Sequence, residues 1–241
     1  MSTNIVLLYI NVLAKSEPEA PPPIYYEAPT RRFLETYRTF RPQIPHRLGI
    51  VNCGAIENDC FIAHQADEQY FYTGTGWDSG AYQEVGRNLS CDLVVCFNSF
   101  AYFWRPKWLE PVAEAYAKYG PGVYGFSASF ENSPHLRSPA ICFSPEVIKK
   151  YPHTIDSRQK TWEFEARSLN FSLWALANQF PVILVTANET CRIHQWRIPP
   201  NIFRRGDQSN VLVWDRHTDI YAKASAEEKQ ILEQSADGIT P

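Results

Sequence analysis

The run Leu93-Val94-Val95-Cys96-Phe97-Asn98-Ser99 decides the fold. Five apolar residues in succession predict a strand buried on both faces, the kind found in parallel sheets covered by helices. The run stops on two small polar residues. In open α/β sheets ligands bind outside the carboxyl ends of the strands, so Asn98 and Ser99 are the first candidate site residues. Downstream, Pro106 opens a helical pattern through Trp108, Leu109, Val112, Ala113 and Tyr116. Gly120-Pro121-Gly122 ends that pattern, and a strand over 123–128 follows.

The same alternation extends in both directions. Ile5–Ile10 reads as the first buried strand, followed by an extended loop over Ser16–Pro23, where repeated prolines remove backbone donors. Pro29 begins a helix whose apolar face is Phe33, Leu34, Tyr37 and Phe40. Leu48–Asn52 and Tyr70–Tyr72 are strands, and Asp78 caps a helix running to Leu89. Beyond the central unit come a strand at Ala140–Phe143, a short helix from Pro145, a long helix from Trp162 to Asn178 and a strand at Pro181–Thr186. Strand–helix alternation predicts an α/β class with a mostly parallel sheet flanked by helices. The pattern fails after Asn188, leaving a polar, irregular tail and a charged trailing helix from Ala224 to Gln234. The expected organisation is one domain over residues 1–190, with residues 191–241 as an extension that packs on it and closes the site.

Composition narrows the function. Across 241 residues, 44% hydrophobic and 20% charged content is that of a soluble globular protein. A net charge of −3 gives no global field for nucleic acid. The six cysteines are scattered without a Cys-x-x-Cys pair, as expected of reduced thiols in a cytoplasmic protein. No segment reaches the ~20 apolar residues that cross a membrane. Phosphate-binding glycine loops, a Gly-x-Ser-x-Gly elbow and zinc-spaced histidines are absent from the sequence, which argues against kinases, Rossmann dehydrogenases, serine hydrolases and zinc hydrolases.

Five motifs in order resemble a known group. Gly76-Trp77-Asp78-Ser79-Gly80-Ala81-Tyr82 is similar to a Gly-x-Asp-x-Gly-Ala segment, and Phe97-Asn98-Ser99 stands where Asn-Asp-Ser is usual. Tyr124-Gly125-Phe126-Ser127, His135-Leu136-Arg137-Ser138 and Cys142-Phe143-Ser144 continue the series. Together they resemble the rhamnan-synthesis glycosyltransferases, within the GT-A type, over residues 4 to 190. The resemblance implies a single GT-A-like, Rossmann-like domain that binds a nucleotide-diphosphate sugar such as a UDP-sugar and transfers the hexosyl group to a hydroxyl.

It also implies roles. Tyr9 and Asn11 fall where this fold places the nucleobase, and Asp78 falls at a nucleoside or sugar contact. Asn98 and Ser99 hold the position of the Asp-x-Asp motif, which anchors a divalent metal, Mn or Mg, in metal-dependent members. Asn98 is a neutral amide and a poor anchor for a hard cation. Cations can neutralise a leaving diphosphate instead; Arg204 and Arg205 are the first candidates and Arg137 the next. His194 is the ligand expected if a metal is kept. Glu165 matches a Tyr-Glu pair of the group and is the candidate base, with Asp207 as its rival. Read without the resemblance, Asp78 is a helix cap, Asp207 a turn residue, and Glu163 and Glu165 are carboxylates favoured at a helix start. A non-catalytic nucleotide- or carbohydrate-binding domain is the alternative function. The acceptor is left open among a glycan, a small molecule, a protein and a nucleic acid base.

Overall fold

The computed structural model describes residues 3–13, 22–54, 65–167 and 170–239. The proline loop expected over Ser16–Pro23 lies outside them as far as residue 21. The chain builds an eight-stranded sheet from β1 (Ile5–Val12), β2 (Arg47–Cys53), β3 (Glu68–Tyr72), β4 (Leu93–Phe97), β6 (Val123–Gly125), β9 (Ala140–Phe143), β10 (Val182–Val185) and β11 (Thr190–Arg192). Its order is β11-β10-β6-β9-β4-β1-β2-β3. All strands except β9 and β11 point the same way, so the sheet is mostly parallel.

Side-chain alternation divides the core into two layers. Ile5, Leu7, Tyr9, Leu93, Val95 and Phe97 face α1 (Glu27–Thr39) and α3 (Glu110–Tyr119). Val6, Leu8, Ile10, Val94 and Cys96 face α2 (Trp77–Asn88), α4 (Pro145–Lys150) and α6 (Phe171–Ala177). Every residue of β4 is fully buried, as the uninterrupted apolar run requires. No described helix is long and apolar enough to cross a membrane.

Four expected boundaries move, each for a local reason. The helix expected from Pro106 starts at Glu110, because Lys107 adopts a left-handed φ of 58° and breaks the turn. Trp108 and Leu109 are buried ahead of it. The strand expected over 123–128 ends at Gly125, and β7 (Ala128–Ser129) pairs with β8 (His135–Leu136) in a separate ribbon. The long helix expected from Trp162 to Asn178 is two helices, α5 (Arg158–Ala166) and α6. Asn170 caps α6 by accepting from the Leu173 amide, while its own amide donates to Ser133, Pro134 and Arg167. Glu163 and Glu165 therefore stand near the end of α5, where the helix dipole disfavours a carboxylate. Asp78, finally, is the second residue of α2 rather than its cap; Gly76 holds the cap position.

The tail is tied down across the sheet's carboxyl edge. β12 (Val213–Trp214) pairs with β5 (Tyr102–Phe103), which follows Asn98 in the chain. Trp104 donates to the Val211 carbonyl at 2.7 Å and Arg105 to the Ser209 carbonyl at 3.1 Å. α7 (Arg216–Lys223) and α8 (Ala226–Ala236) complete the fold.

Candidate functional site

Asp78 owes its position to two glycines. A Cβ on Gly76 would lie 1.9 Å from the Ile155 carbonyl oxygen, and one on Gly80 would lie 2.2 Å from the Tyr72 hydroxyl. Only glycine lets α2 approach these groups so closely. The Gly76 amide then binds the Tyr72 hydroxyl at 2.9 Å, and the Thr161 hydroxyl binds the Gly76 carbonyl at 2.7 Å. Trp77, between them, takes a left-handed φ of 51°. The first turn of α2 is thus fixed from both sides, with Asp78 half-buried upon it.

Glu165 reaches the same region from α5. One of its carboxylate oxygens accepts the Ser138 amide at 3.1 Å. The next residue, Pro139, accepts the Asn98 amide at 2.9 Å. The segment 137–139 therefore joins Glu165 to the end of β4. Burial and then the Glu165 charge push the Asp78 carboxyl up to about 7. At neutral pH the Asp78 carboxyl is therefore protonated for part of the time.

Further groups surround them. Tyr82 lies one helical turn beyond Asp78, and its hydroxyl and that of Ser79 are buried without a hydrogen-bond partner among the described residues. Buried His135 donates from Nδ1 to the Ser133 carbonyl at 2.8 Å, which leaves Nε2 as the lone-pair nitrogen of the neutral ring. Burial holds His135 below the usual histidine range despite the opposing pull of Glu165. Burial and the Asp78 charge raise the Tyr26 hydroxyl, which marks the site's other wall. Tyr26, Tyr82 and His135 escaped the sequence reading as site residues. His135 and Tyr82 did fall inside two of the quoted motifs, His135-Leu136-Arg137-Ser138 and the segment from Gly76 to Tyr82, but neither was read as a site residue.

Asn98 is half-buried, and its side-chain oxygen accepts the Phe100 amide at 3.0 Å in a local turn. Its NH2 group remains as an available donor. Ser99 is buried, donating to the Ile10 carbonyl at 3.3 Å, while its own carbonyl accepts the Tyr9 hydroxyl at 3.0 Å. Tyr9 is fully buried, also bonded to Thr30 at 3.1 Å and stacked on Phe33 at 3.9 Å. Tyr9 and Ser99 thus brace the edge from beneath, and the Tyr9 ring does not reach the surface expected of a base contact. Asn11 donates to Asn52 at 2.9 Å, and Asn52 to Gln69 at 3.2 Å, forming an amide chain from the ends of β1 and β2 to the second residue of β3.

The tail candidates separate. Arg137 is buried against Asp215 at 3.1 Å, with its guanidinium 3.8 Å from the Phe203 ring centre. Arg204 approaches the same ring at 5.1 Å and Glu131 at 3.6 Å, and its Nε is buried without a hydrogen-bond partner among the described residues. Arg205 turns away to Asp237 at 3.0 Å. Asp207 is exposed, and hydrogen bonds from Ser209 hold its carboxyl below the usual range. His194 is exposed on a 3-10 turn and forms no hydrogen bond or ion pair among the described residues. Among those residues no group of three His, Cys, Asp or Glu side chains gathers to hold a metal ion. The residues present therefore do not form a metal cage of their own.

Asp78 yields a stability prediction. Its folded value of about 7 lies above the ordinary carboxylate value of roughly 4. The stability it contributes is complete below about pH 4 and lost as pH rises through about 7. Asp78→Asn is expected to stabilise the fold at pH 8 by about 1–3 kcal/mol, after allowance for partial exposure, and to flatten the pH dependence between about 4 and 7. Urea unfolding at pH 5 and pH 8 measures this; identical slopes for both proteins would contradict it.

No protein-family model and no curated protein matches the sequence. Solved structures do match the fold. The mannosyltransferase PcManGT from Pyrobaculum calidifontis, in complex with GDP-Man and Mn2+, aligns with a TM-score of 0.50 at 10% identity, covering 85% of this chain and 60% of that one. The chain has a GT-A-like fold. This chain thus spans under two thirds of the mannosyltransferase's length. S. aureus TarS 1-349 in complex with UDP aligns at 0.44 and 11% identity over 67% of this chain and 53% of that one. A CMP:2-keto-3-deoxy-manno-octonic acid synthetase complexed with CTP aligns at 0.46 and 11% identity over 75% of this chain and 88% of that one. Asp78 on α2 feels the charge of Glu165 on α5, and Glu165 is joined to Asn98 at the end of β4 through Ser138 and Pro139.

Proposed function

We propose that this chain is a glycosyltransferase that moves a sugar from a nucleotide-diphosphate sugar to a hydroxyl acceptor, and that it stands close to the rhamnan-synthesis group. The observation that carries this reading is the Asp78–Glu165 pair, held beside Asn98 at the sheet edge where α/β folds bind ligands. In this reading the acceptor oxygen bonds to the anomeric carbon, and the carbon–oxygen bond to the diphosphate breaks. The diphosphate leaves with the bonding pair, and the acceptor proton passes to Glu165. The Ser138 amide fixes one oxygen of Glu165, so the other is the basic one. Asp78, neutral for part of the time at pH 7, donates a hydrogen bond to a donor hydroxyl. The Asn98 NH2 donates to a phosphate oxygen.

Arg204 is the cation assigned to the leaving diphosphate: its pair with exposed Glu131 is long, at 3.6 Å, and its Nε has no hydrogen-bond partner among the described residues, whereas Arg137 is held by Asp215 at 3.1 Å and Arg205 by Asp237 at 3.0 Å. The tail from residue 191 onward closes over that group, supported by its bonds to Trp104 and Arg105. A non-catalytic nucleotide-binding domain is the second reading, favoured by the neutral Asn98.

Thermal shift with a panel of nucleoside diphosphates tests the donor site. At 100 times Kd one of them is expected to add about 2.7 kcal/mol of stability. The shift should survive EDTA. If none of the panel stabilises the protein, the donor assignment fails in both readings.

A further inference from the structure

An open cleft of about 380 Å³ lies beside the carboxylate site, walled by Tyr25, Pro29, Arg32, Phe100, Arg216 and Asp219. Two chemistries meet there. Tyr25, 45% exposed, and Phe100 stand with ring centres 5.8 Å apart at 67°. Arg32 and Arg216 bring two cations against the single carboxylate of Asp219. That carboxylate is already engaged, by Arg32 at 2.8 Å and by the Tyr102 hydroxyl at 2.6 Å. Arg216 has no carboxylate partner among the described residues. It donates to the Tyr25 hydroxyl at 3.3 Å and lies 5.5 Å from the Phe100 ring centre. The cleft is thus an aromatic surface with one uncompensated cation.

The cleft adjoins the proposed transfer site. The Phe100 amide binds the Asn98 side chain at 3.0 Å. Tyr26 contacts Tyr25 at 5.3 Å and Phe100 at 5.7 Å, and its hydroxyl senses the Asp78 charge. A ligand on the Phe100 ring is therefore one residue's length from Asn98 at the end of β4.

We infer that this cleft is the acceptor subsite and that the acceptor is a glycan whose terminal pyranose carries an anionic group. The inference rests on the transferase reading. A pyranose presents an apolar C–H face to aromatic rings, and an anion on the ring pairs with Arg216. A uronic acid and a phosphosugar share this chemistry.

The test uses the full chain without nucleotide and three ligands: methyl glucuronide, methyl glucoside 6-phosphate and neutral methyl glucoside, each titrated by ligand-observed NMR. The charged glycosides are expected to bind about fivefold more tightly than the neutral one. Whichever charged glycoside binds better identifies the source of the anion. R216Q should erase the preference, and Y25A should weaken all three; both positions are exposed, so folding is preserved. Equal binding of charged and neutral glycosides, or no binding of any, would overturn the inference. So would displacement of the glucuronide by a single-stranded oligonucleotide, which would assign the cleft to nucleic acid. None of these ligands is a nucleotide, so failure here leaves the nucleoside diphosphate result standing on its own.

Discussion

Glu165→Gln is expected to lower the proposed sugar transfer by about 10²–10⁴-fold while nucleoside diphosphate binding is retained. The substitution keeps the shape of the side chain and an oxygen for the Ser138 amide, so the link from α5 to the end of β4 survives. What it removes is the group that takes the acceptor proton in the proposed mechanism. It also removes the negative charge that helps hold Asp78 at about 7. The Asp78 carboxyl should therefore titrate lower in the variant, a shift readable by carboxylate NMR. A purely structural role for Glu165 would leave turnover intact. Full activity with a lowered Asp78 titration would make Asp78 the base instead.

Arg137→Met is expected to cost about 3–5 kcal/mol of folding stability, measured by urea unfolding at pH 7. Arg137 and Asp215 have side chains only 8% and 6% exposed, and removing one leaves the other charged and buried. Asp215 also caps α7, accepting the His217 amide at 2.8 Å and the Thr218 amide at 2.9 Å. Burial works to raise its carboxyl, but Arg137, His217 and those amides together hold it below the usual range. The stability this group contributes is present above about pH 4 and lost as pH falls through its lower folded value. Loss of Arg137 should shrink that acid-dependent component. A variant of unchanged stability but weakened donor binding would return Arg137 to the role of a phosphate contact.

The sheet was legible because β4 is apolar throughout and can be nothing but a strand buried on both faces. The two-layer core follows from the same alternation in β1. The helix boundaries were not legible where single residues override the pattern. Lys107 breaks the expected helix through a left-handed backbone, and Asn170 ends one helix and starts another through side-chain bonds. That second misreading placed Glu165 at the wrong end of its helix. The direction of β9 was equally hidden, since an antiparallel strand buried on both faces carries the same apolar run as a parallel one. At the site, Asp78 and Asn98 stood out as polar residues at strand and helix ends. Tyr26, Tyr82 and His135 did not, because an aromatic or histidine in an amphipathic stretch reads as core. The arginines of the tail could not be sorted by sequence. Arg204 and Arg205 are neighbours, yet the left-handed φ of 50° at Arg204 sends the pair to different partners.

The most direct measurement is turnover of a panel of nucleotide sugars by the unmodified protein, read as nucleoside diphosphate released with and without acceptor glycosides. Release from one donor is expected, accelerated by acceptor and abolished by Glu165→Gln. Binding of nucleoside diphosphate with no release from any donor would contradict it and leave a nucleotide-binding domain without transfer chemistry.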